Sequence, residues 1–129
     1  MKYVFISIVL LCSILALSSK SYGQDEFPVL EGPYLGQKPP GLIPEIFAPG
    51  TISKSGRSEY GVSYSPDLDE MYFTVQKKYG EPADIYFSKL EDEKWTPFKK
   101  ANFTKGKKAG EMKPTVSHDN KKLYFSAYN

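Results

Sequence analysis

The sequence predicts an all-β fold made of repeated units of four antiparallel strands, on three observations. First, one stretch occurs twice. Glu59–Thr74, read EYGVSYSPDLDEMYFT, returns as Glu111–Ser126, read EMKPTVSHDNKKLYFS, at a shift of 52 residues with no gap. Glu59 meets Glu111, Ser65 meets Ser117, Asp67 meets Asp119 and Tyr72-Phe73 meets Tyr124-Phe125, with Met71 opposite Leu123. Self-similarity at roughly this period marks propellers and solenoids. Second, aromatic residues make up 15% of the chain, with ten Tyr and eight Phe. Such side chains suit a pleated, half-buried surface. Third, ten Gly and ten Pro supply frequent turns, and no stretch after residue 23 carries a sustained helical period.

Residues 1–23 have the form of an export signal. Lys2 is followed by the apolar run Val4–Leu17 and then by the mostly small, polar Ser18–Gly23. The run is short for a membrane span and has no stop-transfer flank. The mature chain is thus expected to be exported to the periplasm or beyond, with no transmembrane segment. Its loss removes Cys12, the only cysteine, and leaves 15 basic and 15 acidic residues. A mature chain without cysteine has no disulfide, thiol nucleophile or cysteine metal site. A neutral balance gives no electrostatic reason to expect nucleic acid as a partner.

Residues 24–58 form a Pro/Gly-rich block, with Pro33, Pro39, Pro40, Pro44 and Pro49 among its turn-formers. Proline fixes φ and removes a donor, so long helices and central strands are excluded. Leu30, Tyr34, Leu35, Leu42, Ile43, Ile46 and Phe47 make the block too apolar for a solvated linker. It is expected to lie extended against the following body and bury alternate side chains, with a turn at Ala48–Gly50 and a short strand at Thr51–Lys54.

Residues 59–110 form the first repeat. Gly61–Ser65 and Glu70–Val75 read as a hairpin around Pro66-Asp67-Leu68-Asp69, a turn sequence with Pro preset for its second position. Met71 and Phe73 point to one face, Tyr72 and Thr74 to the other. Asp84–Leu90 reads as a third strand. Glu91–Lys94 is a charged turn, Trp95–Lys99 an edge-like fourth strand and Ala101–Gly110 a basic loop. Residues 111–129 begin the second repeat.

At SYSPDLDEMYFT and VSHDNKKLYFS the pattern resembles the WD-repeat-like propeller repeat of bacterial exported proteins, whose core runs S-P-D-G-x-x-[LI]-x-F-[ST]. ADIYFSKLEDEKWTPF is similar to the strand, acidic turn, Trp and Pro that follow in that family, which includes the periplasmic Tol-type propeller. The resemblance implies β-propeller blades and covers about Glu59–Asn129. The usual turn Gly is Leu68 in one copy and Asn120 in the other, and His118 replaces the Pro. Leu resists a left-handed backbone, so the first turn is expected to differ in type from the second. A closed propeller needs about four to eight blades, so the chain is expected to be the N-terminal part of a longer protein. Assembly of several short envelope chains in trans is the alternative.

Asp67 and Asp119 are expected to bond nearby backbone in their turns. Ser65-x-Asp67 and Ser117-x-Asp119 are also similar to the Asp-box turn of sialidase-type propellers, a structural feature there. Glu59 and Glu111 are candidate paired carboxylates, but equivalent repeat positions point to a shared structural role, accepting hydrogen bonds where each unit begins. The lone histidine, His118, falls in a turn. No nucleophile motif, phosphate loop, metal-ligand set or cofactor fingerprint is present. Ser65, Ser117, Tyr72, Phe73, Tyr124 and Phe125 complete the structural repeat positions; no catalytic residue is assigned. The expected role is binding of protein or glycan, or scaffolding, in the cell envelope. The alternative is the front of a propeller hydrolase whose catalytic residues lie outside this chain.

Overall fold

The computed structural model describes residues 27–129. The expected export signal, residues 1–23, lies outside the described residues. The described chain is all-β, with antiparallel strands and no helix. β1 (Ser58–Tyr64), β2 (Glu70–Gln76) and β3 (Ala83–Glu91) pair in sequence order, and the short β4 (Lys94–Trp95) and β5 (Lys99–Lys100) both pair with β3. β6 (Gly110–Val116) and β7 (Leu123–Tyr128) form a separate hairpin.

The alternation in β2 decides where the core sits. Met71, Phe73 and Val75 are buried on one face together with Leu30, Leu35, Ala48, Ile52 and Trp95. Phe73 stacks on Tyr86 at 6.0 Å and meets Phe98 edge-on at 5.3 Å. Apolar burial of this kind contributes about 25 cal/mol per Å². Thr74, on the opposite face, is also buried, because β6–β7 covers that face. Thr74 Oγ1 accepts the Lys113 N–H at 2.9 Å, and Ser63 Oγ accepts the Val116 N–H at 3.2 Å.

Two expectations are corrected here. The fourth strand, expected at Trp95–Lys99, is broken into β4 and β5. Pro97 lies in the break; it has no N–H to give to the ladder. Thr96 holds the gap: its N–H donates to Lys89 O at 2.8 Å, and its carbonyl accepts the Ser88 hydroxyl at 2.5 Å. The Thr51–Lys54 strand does not form. The N–H groups of Thr51, Ile52 and Ser53 all converge on Ala48 O, at 3.1, 2.9 and 3.2 Å. The result is a turn that buries Ile52.

Residues 27–57 lie on the core face of the sheet, but not with alternate side chains buried. Leu30, Leu35, Ala48 and Ile52 are buried while Leu42, Ile43 and Ile46 are exposed. Trp95 anchors the segment. Its N–H donates to Leu30 O at 2.9 Å and its indole Nε1–H to Gly32 O at 2.8 Å. Tyr64 packs edge-on against the indole at 6.2 Å, and Phe27 meets Phe98 edge-on at 5.8 Å.

Candidate interaction surface

The loop from Glu31 to Ala48 is held at its base by backbone and amide contacts. Gly36 N donates to Glu31 O at 2.7 Å; Gln37 donates from Nε2 to Ile46 O at 3.1 Å and accepts the Ala48 N–H on Oε1 at 2.6 Å. With its ends pinned, the middle of the loop stands out from the sheet. Pro39, Pro40 and Pro44 offer no N–H to a ladder there, and the chain bends at Leu42 and Ile43 with no strand paired to it. Between this loop and the β1–β2 hairpin lies an open hollow of about 630 Å³. Tyr34, Leu42, Ile43, Ile46, Val62 and Leu68 supply much of its apolar wall. Exposed contiguous apolar surface marks an interaction site more often than scattered apolar side chains do. Sequence reasoning placed Leu42, Ile43 and Ile46 against the sheet instead. No local signal in the sequence separates these three from the buried Leu30 and Leu35.

Leu68 enters the hollow from an unusual backbone. Its φ is +61°, and Asn120, at the matching place in the second hairpin, has φ +56°. The expected difference in turn type is therefore not found. The serine before each turn explains this. Ser65 Oγ accepts the N–H groups of Asp69 and Glu70 at 3.2 and 2.8 Å, and Ser65 N donates to Glu70 O at 2.9 Å. Ser117 Oγ accepts from Lys121 and Lys122 at 3.3 and 2.9 Å, and Ser117 N donates to Lys122 O at 2.8 Å. These bonds close the loop around one hydroxyl whatever residue takes the left-handed position, at a cost to Leu68 of roughly 1–2 kcal/mol.

The two aspartates differ in their partners. Asp119 Oδ1 accepts the Ser117 hydroxyl at 2.6 Å and the Lys121 N–H at 3.2 Å; the hydroxyl first, then the N–H, hold its carboxyl below the ordinary range. In the first turn the Ser65 hydroxyl donates to Asp69 at 2.9 Å. Asp67 instead accepts the Asn120 side-chain amide across the two turns. His118 is exposed in the second turn.

Glu59 and Glu111 both accept hydrogen bonds from the segment before their strand. Glu59 takes the Lys54 N–H at 3.3 Å and pairs with the Arg57 guanidinium. Glu111, only 6% exposed, takes the N–H groups of Phe103 and Thr104 at 3.2 and 2.6 Å and the Thr104 hydroxyl at 2.6 Å. Burial alone would raise its pKa, but these donors outweigh it and lower the value.

The aromatic pairs also diverge. Tyr72 stacks on Phe87 at 6.0 Å, and its hydroxyl donates to Glu70 at 2.6 Å. Burial and then that bond raise its pKa. Tyr124 is 58% exposed. Phe73 is buried, whereas Phe125 is half-buried, with its ring 5.2 Å from that of the loop residue Phe103. Trp95 is sealed under Leu30 and Gly32, so its ring has no free face for a sugar. No three His, Cys, Asp or Glu side chains among the described residues converge as a metal site. Comparison with known protein families, curated proteins and solved structures returns no match.

Proposed function

We propose that this chain is a binding module of an exported propeller-type repeat protein of the cell envelope, acting without chemistry of its own. Ser58–Lys100 make up one blade-like unit and β6–β7 open the next. Positions at or next to the repeat register meet across the stacked units, which supports the repeat reading. The Tyr60 hydroxyl reaches Met112 Sδ, 52 residues on, at 3.7 Å. Ser63 and Asp67 bond to Val116 and Asn120, each 53 residues on. The binding reading is carried by the hollow beside Leu42, Ile43 and Ile46. An aliphatic wall with few polar groups suits an apolar side chain of a protein partner rather than a sugar, which needs dense hydrogen bonding.

Photo-crosslinking in the native cell tests this. A photoreactive side chain in place of Ile43 is expected to give a discrete protein adduct. One in place of the still more exposed Tyr79, outside the hollow, is expected to give none. Leu42→Asp added to the chain that carries the photoreactive group at position 43 is expected to remove the adduct while leaving the folded fraction unchanged. The same pattern from both positions, or no adduct from position 43, contradicts the reading.

A further inference from the structure

A second cavity, of about 400 Å³, shares no lining residue with the hollow. Its wall is largely aromatic. Phe27, Phe73, Tyr86 and Phe98 line it, with Phe73 buried and the other three half-buried. Phe98 meets Phe27 and Phe73 edge-on, at 5.8 and 5.3 Å, and Tyr86 stacks on Phe73 at 6.0 Å. The four rings brace one another, so this wall is formed without a ligand.

Two cations, Lys54 and Arg57, line the same cavity, and among the described residues no carboxylate does. Arg57 is held in place. Its Nε–H pairs with Glu59, which balances its charge, and Nη2 donates to Ile52 O at 2.8 Å. Among the described residues neither N–H on Nη1 is used. Lys54 is exposed and enters no ion pair among the described residues. One uncompensated positive charge therefore stands beside an aromatic wall. We propose that this cavity binds a small aromatic carboxylate, its ring against Tyr86 and Phe98 and its carboxylate on Arg57 and Lys54. The volume falls among small-molecule sites, about 300–1,000 Å³, and a single net charge matches a monocarboxylate better than a phosphate dianion. A guanidinium already fixed by two partners loses little freedom when it takes a carboxylate. The inference goes beyond the protein-binding hollow and does not depend on it.

The probe is 3-phenylpropanoate, titrated into the full chain and read by nuclear magnetic resonance. The Lys54 and Tyr86 amides are expected to shift and saturate with a Kd of about 1 mM, the scale for a ligand of about eleven heavy atoms. 3-Phenylpropan-1-ol keeps the ring and lacks the charge; it is expected to bind about tenfold more weakly. Propanoate keeps the charge and lacks the ring; it is expected to give no saturable shift. Lys54→Gln is expected to weaken phenylpropanoate by about 2- to 5-fold and to leave the alcohol unchanged. The Lys54 side chain is exposed, so its replacement leaves the fold intact. Lys38→Gln, at an exposed lysine that lines the hollow instead, is expected to change neither.

Equal affinity for the acid and the alcohol, or no saturable shift from either, overturns the proposal. Equal weakening by Lys54→Gln and Lys38→Gln also overturns it, by reducing the effect to the overall charge of the chain. Asp25 and Glu26 directly precede Phe27. Binding that appears only in the Asp25→Asn, Glu26→Gln double variant would make the chain's own acidic segment the occupant, and the proposal would fail.

Discussion

The hairpins β1–β2 and β6–β7 share a backbone but not an environment. Both have a register shift one turn of strand from the start, between Tyr60 and Ser63 and between Met112 and Thr115. Gly61 and Lys113 sit in those bulges with φ +62° and +55°. Both turns close on a serine hydroxyl. Yet Phe73 is 1% exposed among core side chains, while Phe125 is half-buried beside the loop residue Phe103. The turn is local, closed by hydrogen bonds within about five residues of its serine. Burial is set by what is laid on the face, and only the first hairpin is covered on both.

The largest expected break in the comparison is at the matched phenylalanines. Phe73→Ala should cost about 3–5 kcal/mol in urea unfolding, the range for a buried ring. Phe125→Ala should cost no more than about half as much, and equal losses would mean that the second hairpin is as well covered as the first. Next come the matched glutamates. Glu111→Gln weakens three hydrogen bonds to a buried carboxylate and should cost about 2–3 kcal/mol, against about 1 kcal/mol for Glu59→Gln, whose partner is a partly exposed arginine. Because the folded-state pKa of Glu111 is lowered, its contribution is full above the unfolded value of about 4.3 and fades as pH falls through the lower folded value. Unfolding midpoints measured against pH should therefore fall less steeply on the acid side for Glu111→Gln than for the parent.

The left-handed positions give smaller and opposite effects. Gly61→Ala should destabilise by about 1 kcal/mol, since φ is positive there and the added Cβ would lie 3.4 Å from the Lys113 Cα. Leu68→Gly should stabilise by up to about 1 kcal/mol by removing left-handed strain, whereas Asn120→Gly should change stability by only a few tenths. Thermal midpoints of the three variants check the sign at each.

The period-two alternation of EMYFTVQ and the turn chemistry of Ser-Pro-Asp made the hairpin and the third strand legible in the sequence, to within one residue at each boundary except the start of β1, which lies three residues earlier than expected. The bulges were not legible. Gly61 hints at one, but Lys113-Pro114 carries no sign that it adopts the same geometry, which comes from stacking against Thr74 and Ser63. Pro97 was visible as a weak point in the fourth strand, though not as the place where it divides. The Pro-rich segment was the least legible part. Leu30, Leu35 and Ile52 differ from Leu42, Ile43 and Ile46 in no local property. Their burial depends on Trp95 and on the Gln37 amide, contacts far away in sequence. The hollow those exposed residues line was invisible for the same reason.

The most direct measurement is hydrogen exchange at the Lys113 and Val116 amides. Both should be protected in the parent, because they donate to Thr74 and Ser63 on the facing sheet. Thr74→Val, which keeps shape but removes the acceptor, should raise exchange at Lys113 by about tenfold, a net hydrogen-bond contribution of about 1 kcal/mol or slightly more, and leave the β2–β3 amides unchanged. Free exchange of Lys113 and Val116 in the parent, with β2 and β3 still protected, would contradict the stacking of the two hairpins on which the account depends.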